Sequence, residues 1–424
     1  MPKINTYNKI LYLLFSLSLF LGFFLNEDTA GHGQSVIDFN DTWPAIADPF
    51  KYFEIQHGFH QYIDFKFPLH YYLSSIIYKI VEDQNYFRII FITISLIVPY
   101  MFYQCLRKKF SSLNPNNLFL LSLIIFVLPS FRTAAIWPNS QITALIFFLL
   151  SLYHYIVWKN KKNFLTLDKN IILSLIFISL AVYSRQLYAI IYLYYLFDIY
   201  LKSKLNFLFK ILFITFIFST PGLYIVFFKN LETATLLFNN HFYNSLLINP
   251  SILFFYLLPF FIILTTNNSM SLKIDFIKDL IYSLIVFLGI FLCFQYFDYN
   301  VKIGGGFFLK LSLILFDNLY FFLLTTFLGY FFIYKLCKEN LSNIFIFSIL
   351  IIIFTSKYIM MKYFEPMFLI ILFILVQTKT TEIFISKTKN INLYFSYFII
   401  YFFSALLNDF FNITQNFIGI IRMY

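Results

Sequence analysis

The apolar stretch ILYLLFSLSLFLGFFL, Ile10 to Leu25, decides the fold, and it leads directly into NEDTAGHGQSVIDFNDTW, Asn26 to Trp43. An uncharged run of this length is typical of a helix that crosses the roughly 30 Å of hydrocarbon in a bilayer. The polar stretch places four carboxylates, a histidine and two glycines in a chain of which only 12% of residues are charged. The contrast indicates a membrane span that ends at a polar surface.

The composition of the whole chain supports a membrane protein. Of its 424 residues 60% are hydrophobic, 62 are Phe, and the mean hydropathy is +0.76. Apolar runs of about 17–25 residues recur from end to end, which predicts an all-α, polytopic transmembrane bundle. The runs are continuous and not alternating, which argues against a β-barrel. No small-residue cleavage site follows the first run, so we interpret it as a span and not as a signal peptide.

The formal charge of +11 is concentrated in basic clusters. They are Arg107–Lys109, Lys159–Lys162, Lys202–Lys204, Lys273–Lys278, Lys335–Lys338 and Lys387–Lys389. With a cytoplasmic N-terminus, every cluster falls on the cytoplasmic side of about thirteen spans, as the positive-inside rule requires. The outward spans are predicted near 10–25, 117–130, 169–183, 207–227, 280–296, 342–355 and 392–407. The inward spans are predicted near 87–105, 140–157, 187–201, 250–265, 318–334 and 365–377. Since topology explains the basic residues, no nucleic-acid partner is expected.

This topology predicts one membrane domain, residues 1–424, whose first extracytoplasmic loop, residues 26–86, is by far the longest connection. Loops of this length in compact proteins are usually functional or disordered, and the many aromatic residues here argue against disorder. The segment from Pro68 to Val81 is too short to span a bilayer and is predicted to be an interfacial or re-entrant helix.

The loop holds four of the six histidines, namely His32, His57, His60 and His70. His57 and His60 would share a helix face, so a metal site is one alternative and ordinary hydrogen bonding, which we expect, is the other. No metal ligand is therefore assigned, and a divalent cation stays open as a cofactor. The three cysteines are scattered and form neither a metal spacing nor a disulfide framework.

The order of the motifs resembles the GT-C class of integral-membrane glycosyltransferases, including its mannosyl- and arabinosyltransferase-like bacterial members. An acidic, Gly-containing loop follows the first span, and then come a Pro-Leu-His-Tyr-Tyr element and an Arg-led second span. Three later segments add to the resemblance: SFRTAAIWPNSQITALIFFLLSLYHY (130–155), VYSRQLYAIIYLYYLF (182–197) and KYFEPMFLIILFIL (362–375). It covers about the first 200 residues and the region 357–375.

The resemblance implies transfer of a hexose or pentose from a polyprenyl-phosphate or diphosphate donor to a lipid- or glycan-type acceptor. The transfer would invert the anomeric configuration and would take place at the outer face of a bacterial inner membrane. An outer-loop Asp would act as the general base. The acidic pair of the family is reversed here as Glu27-Asp28, which leaves the base open between Asp38, Asp28 and Asp41. We favour Asp38, because Ile37 and Phe39 flank it. Asp41 has helix capping as its alternative role.

Cations on the outer side are not explained by the positive-inside rule and are therefore candidates for binding the donor phosphate. Arg185, with Gln186 beside it, is suited to a bidentate contact with phosphate oxygens. The other predicted substrate-binding residues are His32, His60, Arg132, Lys357, Lys362 and Glu365. The Gly304–Gly306 run is predicted to form a flexible outer loop or a simple turn.

A polysaccharide polymerase or a lipid-linked-sugar flippase is the alternative function, because both bind polyprenyl diphosphates. Polymerases commonly carry their large outer loop late in the chain, whereas this loop comes first. Transporters commonly show internal repeats and charges within spans. We find no repeat here, so the sequence favours the glycosyltransferase.

Overall fold

The computed structural model describes residues 4–31, 33–50, 67–161, 167–224, 242–266, 276–301, 304–352 and 358–421. Throughout these residues the regular structure is helical, and no strand occurs among them. Side chains cap the N-termini of many of the helices, because Asn, Asp and Thr oxygens accept hydrogen bonds from the first free backbone N–H groups. The capping residues are Asn5, Asp83, Asn114, Asn139, Asp168 and Thr378.

Within the described residues, eight helices are long and apolar enough to cross a membrane. They are Thr6–Phe24, Gln84–Lys109, Ser140–Lys159, Leu205–Tyr224, Phe242–Thr265, Ile277–Phe294, Tyr320–Cys337 and Thr388–Asp409. The number rises to ten if each of two bent helix pairs counts as one span. A polytopic helical protein is therefore supported, whereas the prediction of about thirteen spans stays a prediction. The shorter apolar helices Lys169–Ser184 and Leu341–Ile352 coincide with two of the further predicted spans.

The described chain groups into two compact units. The first unit comprises Met1–Tyr192, Ser203–Tyr224 and Phe395–Tyr424. Its helices are α1 (Thr6–Phe24), α2 (Gln34–Ala47), α3 (Leu69–Val81), α4 (Gln84–Ser95), α5 (Ile97–Lys109), α6 (Pro115–Ser122), α7 (Pro129–Ile136), α8 (Ser140–Lys159) and α9 (Lys169–Ser184). Helix α10 (Ala189–Lys202) passes from the first unit into the second, and α11 (Leu205–Tyr224) belongs to the first. The single-domain prediction is not tested by this grouping.

The second unit comprises Leu193–Lys202 and Ile225–Tyr394. Its remaining helices are α12 (Phe242–Thr266), α13 (Phe276–Phe294), α14 (Gly306–Phe316), α15 (Tyr320–Cys337), α16 (Leu341–Ile352), α17 (Met367–Ile374) and α18 (Lys379–Ser386). Helix α19 (Thr388–Ile421) starts in this unit and continues into the first from Phe395.

Two apolar segments are broken by sharp bends. The α6 segment continues as a 3₁₀ helix to Val127, and α7 then departs at 66°. Leu128 is extended because Pro129, the first residue of α7, disfavours the helical conformation in the residue before it. The helices α17 and α18 meet at 102°. The bend at Pro129 matters for the site, because it brings Arg132 on α7 to the end of α1.

The first long connection is largely helical in its described part. Between α1 and α4 it contains α2 and α3, which confirms that Pro68 to Val81 forms a short helix. Aromatic residues of α2 pack toward α4: the ring centroids of Phe39 and Phe87 are 6.4 Å apart, and those of Trp43 and Phe87 are 5.3 Å apart. These aromatic contacts hold the acidic α2 against the start of α4.

The Gly304–Gly306 run packs closely and is more than a simple turn. All three glycines have positive φ angles, which glycine adopts without strain. A Cβ on Gly304 would lie 2.5 Å from the Ile359 carbonyl oxygen, and the Gly305 N–H donates to that oxygen at 2.7 Å. The run therefore places its backbone against the segment around Ile359.

A polar seam joins α12 to α15 in the second unit. Pro250 lacks an N–H, so it cannot bond the Leu246 carbonyl, and the Tyr330 hydroxyl donates to that oxygen at 2.9 Å instead. The Thr326 hydroxyl donates to the Leu247 carbonyl at 2.9 Å. The helices can approach this closely because Gly329 has no side chain. A Cβ there would lie 2.1 Å from the Pro250 carbonyl oxygen.

We therefore expect Gly329→Ala to destabilise the protein by about 1–3 kcal/mol, because α12 and α15 would have to separate. The control is Gly289→Ala on α13, where an added Cβ meets no atom within 4 Å. There the higher helix propensity of alanine should leave stability unchanged or improve it, by up to about 1 kcal/mol. Thermal unfolding of both purified variants in one detergent checks the difference. Equal unfolding midpoints would contradict the close approach at Gly329.

Candidate functional site

The candidate site lies in the first unit, where α1 ends and the acidic stretch begins. The Asn26 N–H donates to the Phe23 carbonyl at 3.1 Å, and the Glu27 N–H donates to the Gly22 carbonyl at 2.9 Å. Asn26 has a φ of 52°, so these bonds form the Schellman motif that typically terminates helices. The motif directs Glu27 and Asp28 into the protein immediately after the last turn of α1.

Glu27 forms a buried, bidentate ion pair with Arg132. Nε of Arg132 lies 2.7 Å from Oε1 of Glu27, and Nη2 lies 2.6 Å from Oε2. Both side chains are 3% exposed. Gly22 makes room for the pair, since a Cβ there would lie 2.4 Å from Glu27 Oε2. The Trp137 indole N–H also donates to the Glu27 carbonyl at 3.0 Å.

The remaining N–H groups of Arg132 also have acceptors in the protein. Nη1 donates to the Ser18 hydroxyl at 2.9 Å and contacts the Phe126 carbonyl at 3.4 Å, and Nη2 donates to the Ser18 carbonyl at 2.9 Å. With the two bonds to Glu27, all five N–H donors of the guanidinium are engaged. A contact between Arg132 and a substrate phosphate, as the sequence predicted, would require this pair to open. The geometry favours a structural role that ties α7 to α1.

Asp28 acts as a cap for α2. Its Oδ1 accepts from the Gly31 N–H at 3.0 Å, and its Oδ2 accepts from the N–H groups of Gly33 at 2.8 Å and Ser35 at 3.0 Å. Gly33 precedes α2 with a φ of 90° and has no side chain to cap it. A Cβ on Gly31 would lie 2.4 Å from the Asp28 carboxylate. The two glycines thus allow Asp28 to approach the helix N-terminus, where a negative charge is favourable.

Asp409 on α19 contacts the same turn, because its Oδ2 accepts from the Asp28 N–H at 2.9 Å. It is 4% exposed. Asp409 was not among the residues that the sequence predicted for the site. The signal available was an acid at the end of the last apolar run, a position where a charge is costly unless it has partners.

Asp38 and Asp41 lie within α2, which begins at Gln34. The capping alternative for Asp41 is therefore wrong, because that residue is exposed and two turns into the helix. Asp38 is half-buried and accepts one hydrogen bond from the Gln34 side chain at 3.1 Å. Its neighbour Phe39 is 2% exposed and points into the protein. Of the three candidate bases, Asp28 is buried, Asp38 is half-buried and Asp41 is exposed.

A groove of about 520 Å³ opens beside the end of α1. It is lined by Phe23, Phe24, Asn26, Asp83, Asn85, Tyr86, Arg88 and Ile89. The Asp83 carboxylate caps α4 by accepting from the N–H groups of Asn85 and Tyr86 at 2.8 and 3.0 Å. The walls therefore combine apolar surface with one acid and one guanidinium.

Arg88, 5% exposed, is the unusual member of this groove. Its guanidinium carbon lies 3.6 Å from the Trp137 ring centroid and 4.6 Å from the Phe23 centroid, so it is held between two aromatic rings. Nε donates to the Ile136 carbonyl at 3.0 Å, and both Nη atoms contact Asn26 Oδ1 at 3.4 Å. No carboxylate forms an ion pair with it among the described residues.

In the sequence, Arg88 stands out only as the arginine that leads the second span. The rule that selected Arg132 and Arg185, a cation opposite the basic clusters, applies equally to Arg88. In the structure these three arginines differ in the groups that they contact. Arg132 is paired with a carboxylate, whereas Arg88 contacts a carbonyl, an amide oxygen and two aromatic rings.

Arg185 and Gln186 lie where α9 ends. Arg185 is half-buried, and its Nη1 donates to the Gln141 side chain on α8 at 3.1 Å. Gln186 opens the short 3₁₀ turn that leads into α10. His70 is buried on α3 and forms a hydrogen bond with Thr143 at 2.9 Å. The predicted role of Arg185 and Gln186 in phosphate binding stays a prediction.

Lys362 and Glu365 belong to the second unit. Lys362 is half-buried in a 3₁₀ turn, and the buried Glu365 accepts a hydrogen bond from the Tyr256 hydroxyl at 2.7 Å. His32, His60 and Lys357 lie outside the described residues. Among the described residues, no group of three or more His, Cys, Asp or Glu side chains could hold a metal ion. A divalent cation thus stays an open alternative as a cofactor.

Comparisons of the chain with models of protein families, with curated proteins and with solved structures found no match. The resemblance to membrane glycosyltransferases therefore rests on the motifs of the sequence alone.

Proposed function

We propose that this protein is an inverting membrane glycosyltransferase that uses a polyprenyl-phosphate or diphosphate sugar donor. The acceptor is a glycolipid or glycan, and the loop 26–86 faces the outside of a bacterial inner membrane. The proposal includes about thirteen crossings, with the basic clusters in the cytoplasm. Asp38 is the general base, with Asp28 and Asp41 as the other candidates.

The observation that supports this function most is the buried guanidinium of Arg88 in a partly apolar groove. A cation that is 5% exposed and forms no ion pair with a carboxylate within the described ranges is costly in the absence of an anion. A lipid phosphate supplies that anion, and the apolar wall of Phe23, Phe24 and Ile89 suits a polyprenyl chain. The exposed side chains of Leu21 on α1 and of Leu25 directly after it add to this apolar surface.

The acidic helix α2 is connected to the groove by packed rings. Phe39, next to Asp38, has its ring centroid 6.1 Å from that of Trp137, and Trp137 in turn covers Arg88. Asp38 is not among the groove residues, so the acceptor would approach from the α2 side. An inverting transfer requires a carboxylate on one side of the donor sugar and a phosphate-binding cation on the other.

In the proposed reaction an acceptor hydroxyl attacks the anomeric carbon of the donor sugar. The new bond joins the acceptor oxygen to that carbon, and the bond from the carbon to the phosphate oxygen breaks with its electron pair. Asp38 takes the hydroxyl proton, and the lipid phosphate leaves with the additional negative charge. Arg88 stabilises the leaving phosphate most at this step, because hydrogen bonds to a developing oxyanion strengthen in the transition state.

Replacing Arg88 tests the proposal. We expect Arg88→Gln to lower the efficiency of donor use by roughly tenfold to a hundredfold, the amount of one or two hydrogen bonds to a charged group. Arg88→Lys should lose less, since it keeps the charge but not the planar fork. Membranes carrying the intact protein are given a radiolabelled polyprenyl-phosphate sugar, and transfer to endogenous acceptors is measured.

The control is Arg107→Gln, at the opposite end of the same Gln84–Lys109 helix, which should keep wild-type transfer. Thermal unfolding of each variant separates loss of donor use from loss of folding. Full transfer by a folded Arg88→Gln would remove the groove from the reaction. Movement of the labelled lipid across the membrane without any transfer would instead favour the flippase alternative.

A further inference from the structure

We define the lysine cluster as Lys335 and Lys338, which pair with Asp279 where α13 meets the end of α15, together with Lys278, which precedes Asp279 in the sequence. Asp279 lies in the first turn of α13, and Lys335 lies in the last turn of α15. The Lys335 ammonium lies 2.8 Å from Asp279 Oδ2, and the Lys338 ammonium is paired with Oδ1 of the same carboxylate. Lys278, beside Asp279 in the sequence, is exposed.

The positive charge of the cluster exceeds its negative charge. Lys335 and Lys338 share the Asp279 carboxylate, and the neighbouring Lys278 adds a third ammonium group. The N-terminus of α13 adds a partial positive charge. Glu339 follows Lys338, but its carboxylate caps α18 by accepting from the Lys379 N–H at 2.7 Å and from the Thr380 hydroxyl. The hydrogen bond that Lys338 donates to the Asp279 carboxylate raises the pKa of the Lys338 ammonium, so this group stays charged at neutral pH.

The cluster adjoins an apolar surface that faces away from the protein. Only 11% of the α13 span is buried. Its exposed apolar side chains are Ile277, Leu280, Ile281, Leu284, Ile285, Phe287, Leu288, Phe291 and Leu292. One turn from the cluster the rings of Tyr282 and Tyr334 stack with centroids 3.7 Å apart, at a depth where amphipathic rings usually mark the membrane interface.

We propose that the lysine cluster binds the headgroup of an acidic phospholipid whose acyl chains lie along α13. Lys335 is 6% exposed and balances the charge of Asp279 inside the protein. Lys278 and the 33% exposed Lys338 are therefore the ammonium groups that contact the lipid phosphodiester. Basic pockets between membrane helices bind such headgroups, and the charge excess here selects an anionic lipid over a zwitterionic one. The site is independent of the glycosyl transfer proposed above.

The test uses the full chain in nanodiscs of phosphatidylcholine, with or without phosphatidylglycerol. Lipid retention is measured by native mass spectrometry, and the unfolding midpoint is measured in parallel. We expect wild type to retain phosphatidylglycerol selectively and to unfold at a higher temperature in its presence. The double variant K278Q/K338Q should lose both effects, with about a 30-fold weaker preference, since each cation near an acidic lipid contributes roughly a factor of five.

The matched control is K108Q/K204Q, which removes two exposed lysines from the first unit and should behave as wild type. Unchanged selectivity in K278Q/K338Q, or an equal loss in K108Q/K204Q, would show that the lysines act only as a diffuse basic surface and would overturn the proposal. A second arm adds inorganic phosphate to phosphatidylcholine nanodiscs. If free phosphate reproduces the stabilisation, the ligand is not a lipid and the proposal is again overturned.

Discussion

Arg132→Ala is expected to destabilise the protein by roughly 3–5 kcal/mol, because it leaves the Glu27 carboxylate buried without a partner. Glu27 is 3% exposed and would lose two hydrogen bonds below 3 Å. Chemical unfolding of the purified protein in detergent measures the loss. The double variant Glu27→Leu with Arg132→Met should recover much of the stability, since an apolar pair of similar volume removes both buried charges.

The exposed ion pair between Lys161 and Asp168 is the control, with side chains 44% and 21% exposed. Lys161→Ala should cost no more than about 1 kcal/mol.

Burial raises the pKa of the Asp168 carboxyl, but hydrogen bonds from Lys161 and from two backbone N–H groups hold it below its usual range. The small stabilisation from Asp168 is therefore present above the ordinary carboxyl pKa and declines as the pH falls below it.

An Arg132→Ala protein that unfolds like wild type but no longer binds donor would restore the predicted substrate role of Arg132.

Asp38→Asn is expected to lower the transfer rate by about a hundred- to ten-thousandfold with little change in donor affinity, as for the loss of a general base. Asp38 is half-buried on α2 and accepts a hydrogen bond from the Gln34 side chain. The substitution is nearly isosteric, so folding should be retained. Single-turnover transfer of a labelled polyprenyl-phosphate sugar, with donor binding measured separately, distinguishes rate from affinity.

Asp28→Asn is the informative comparison, because its carboxylate accepts three backbone N–H groups. We expect it to lower the folded yield while the folded fraction keeps most of its rate. Asp48→Asn, at the exposed end of α2, should change neither. If folded Asp38→Asn and Asp28→Asn each keep more than about a tenth of the rate, the acidic stretch is structural and the proposed reaction loses its base.

Much of the helical framework could be predicted from local pattern. The boundaries of the predicted spans 169–183 and 140–157 agree closely with α9 and α8, because each begins after a capping residue, Asp168 or Asn139. The short helix after Pro68 was also predicted. The helices α7 and α14 were not, since an apolar run does not specify where a proline or glycine breaks it.

The candidate site was predicted only in outline. The sequence indicated that Glu27, Asp28, Arg132 and Arg88 lie near one end of their spans, but it could not assign partners to them. Arg132 and Arg88 are equivalent in the sequence pattern, each an arginine near a predicted outer end. Only the bend at Pro129 and the Schellman turn at Asn26 bring Glu27 to Arg132 and leave Arg88 with Trp137.

The sequence by itself determined that this chain forms apolar helices fit for a membrane, since hydropathy and run length depend on composition and not on contacts. It also placed the acids of residues 27–41 directly after the first such helix. Only the tertiary structure decided which of these charges is paired, because Glu27 meets its partner 105 residues away and Asp28 meets Asp409 across 381 residues. Partners so distant are chosen by the packing of whole helices, and that packing made Glu27 and Asp28 structural while leaving Asp38 on the surface of α2.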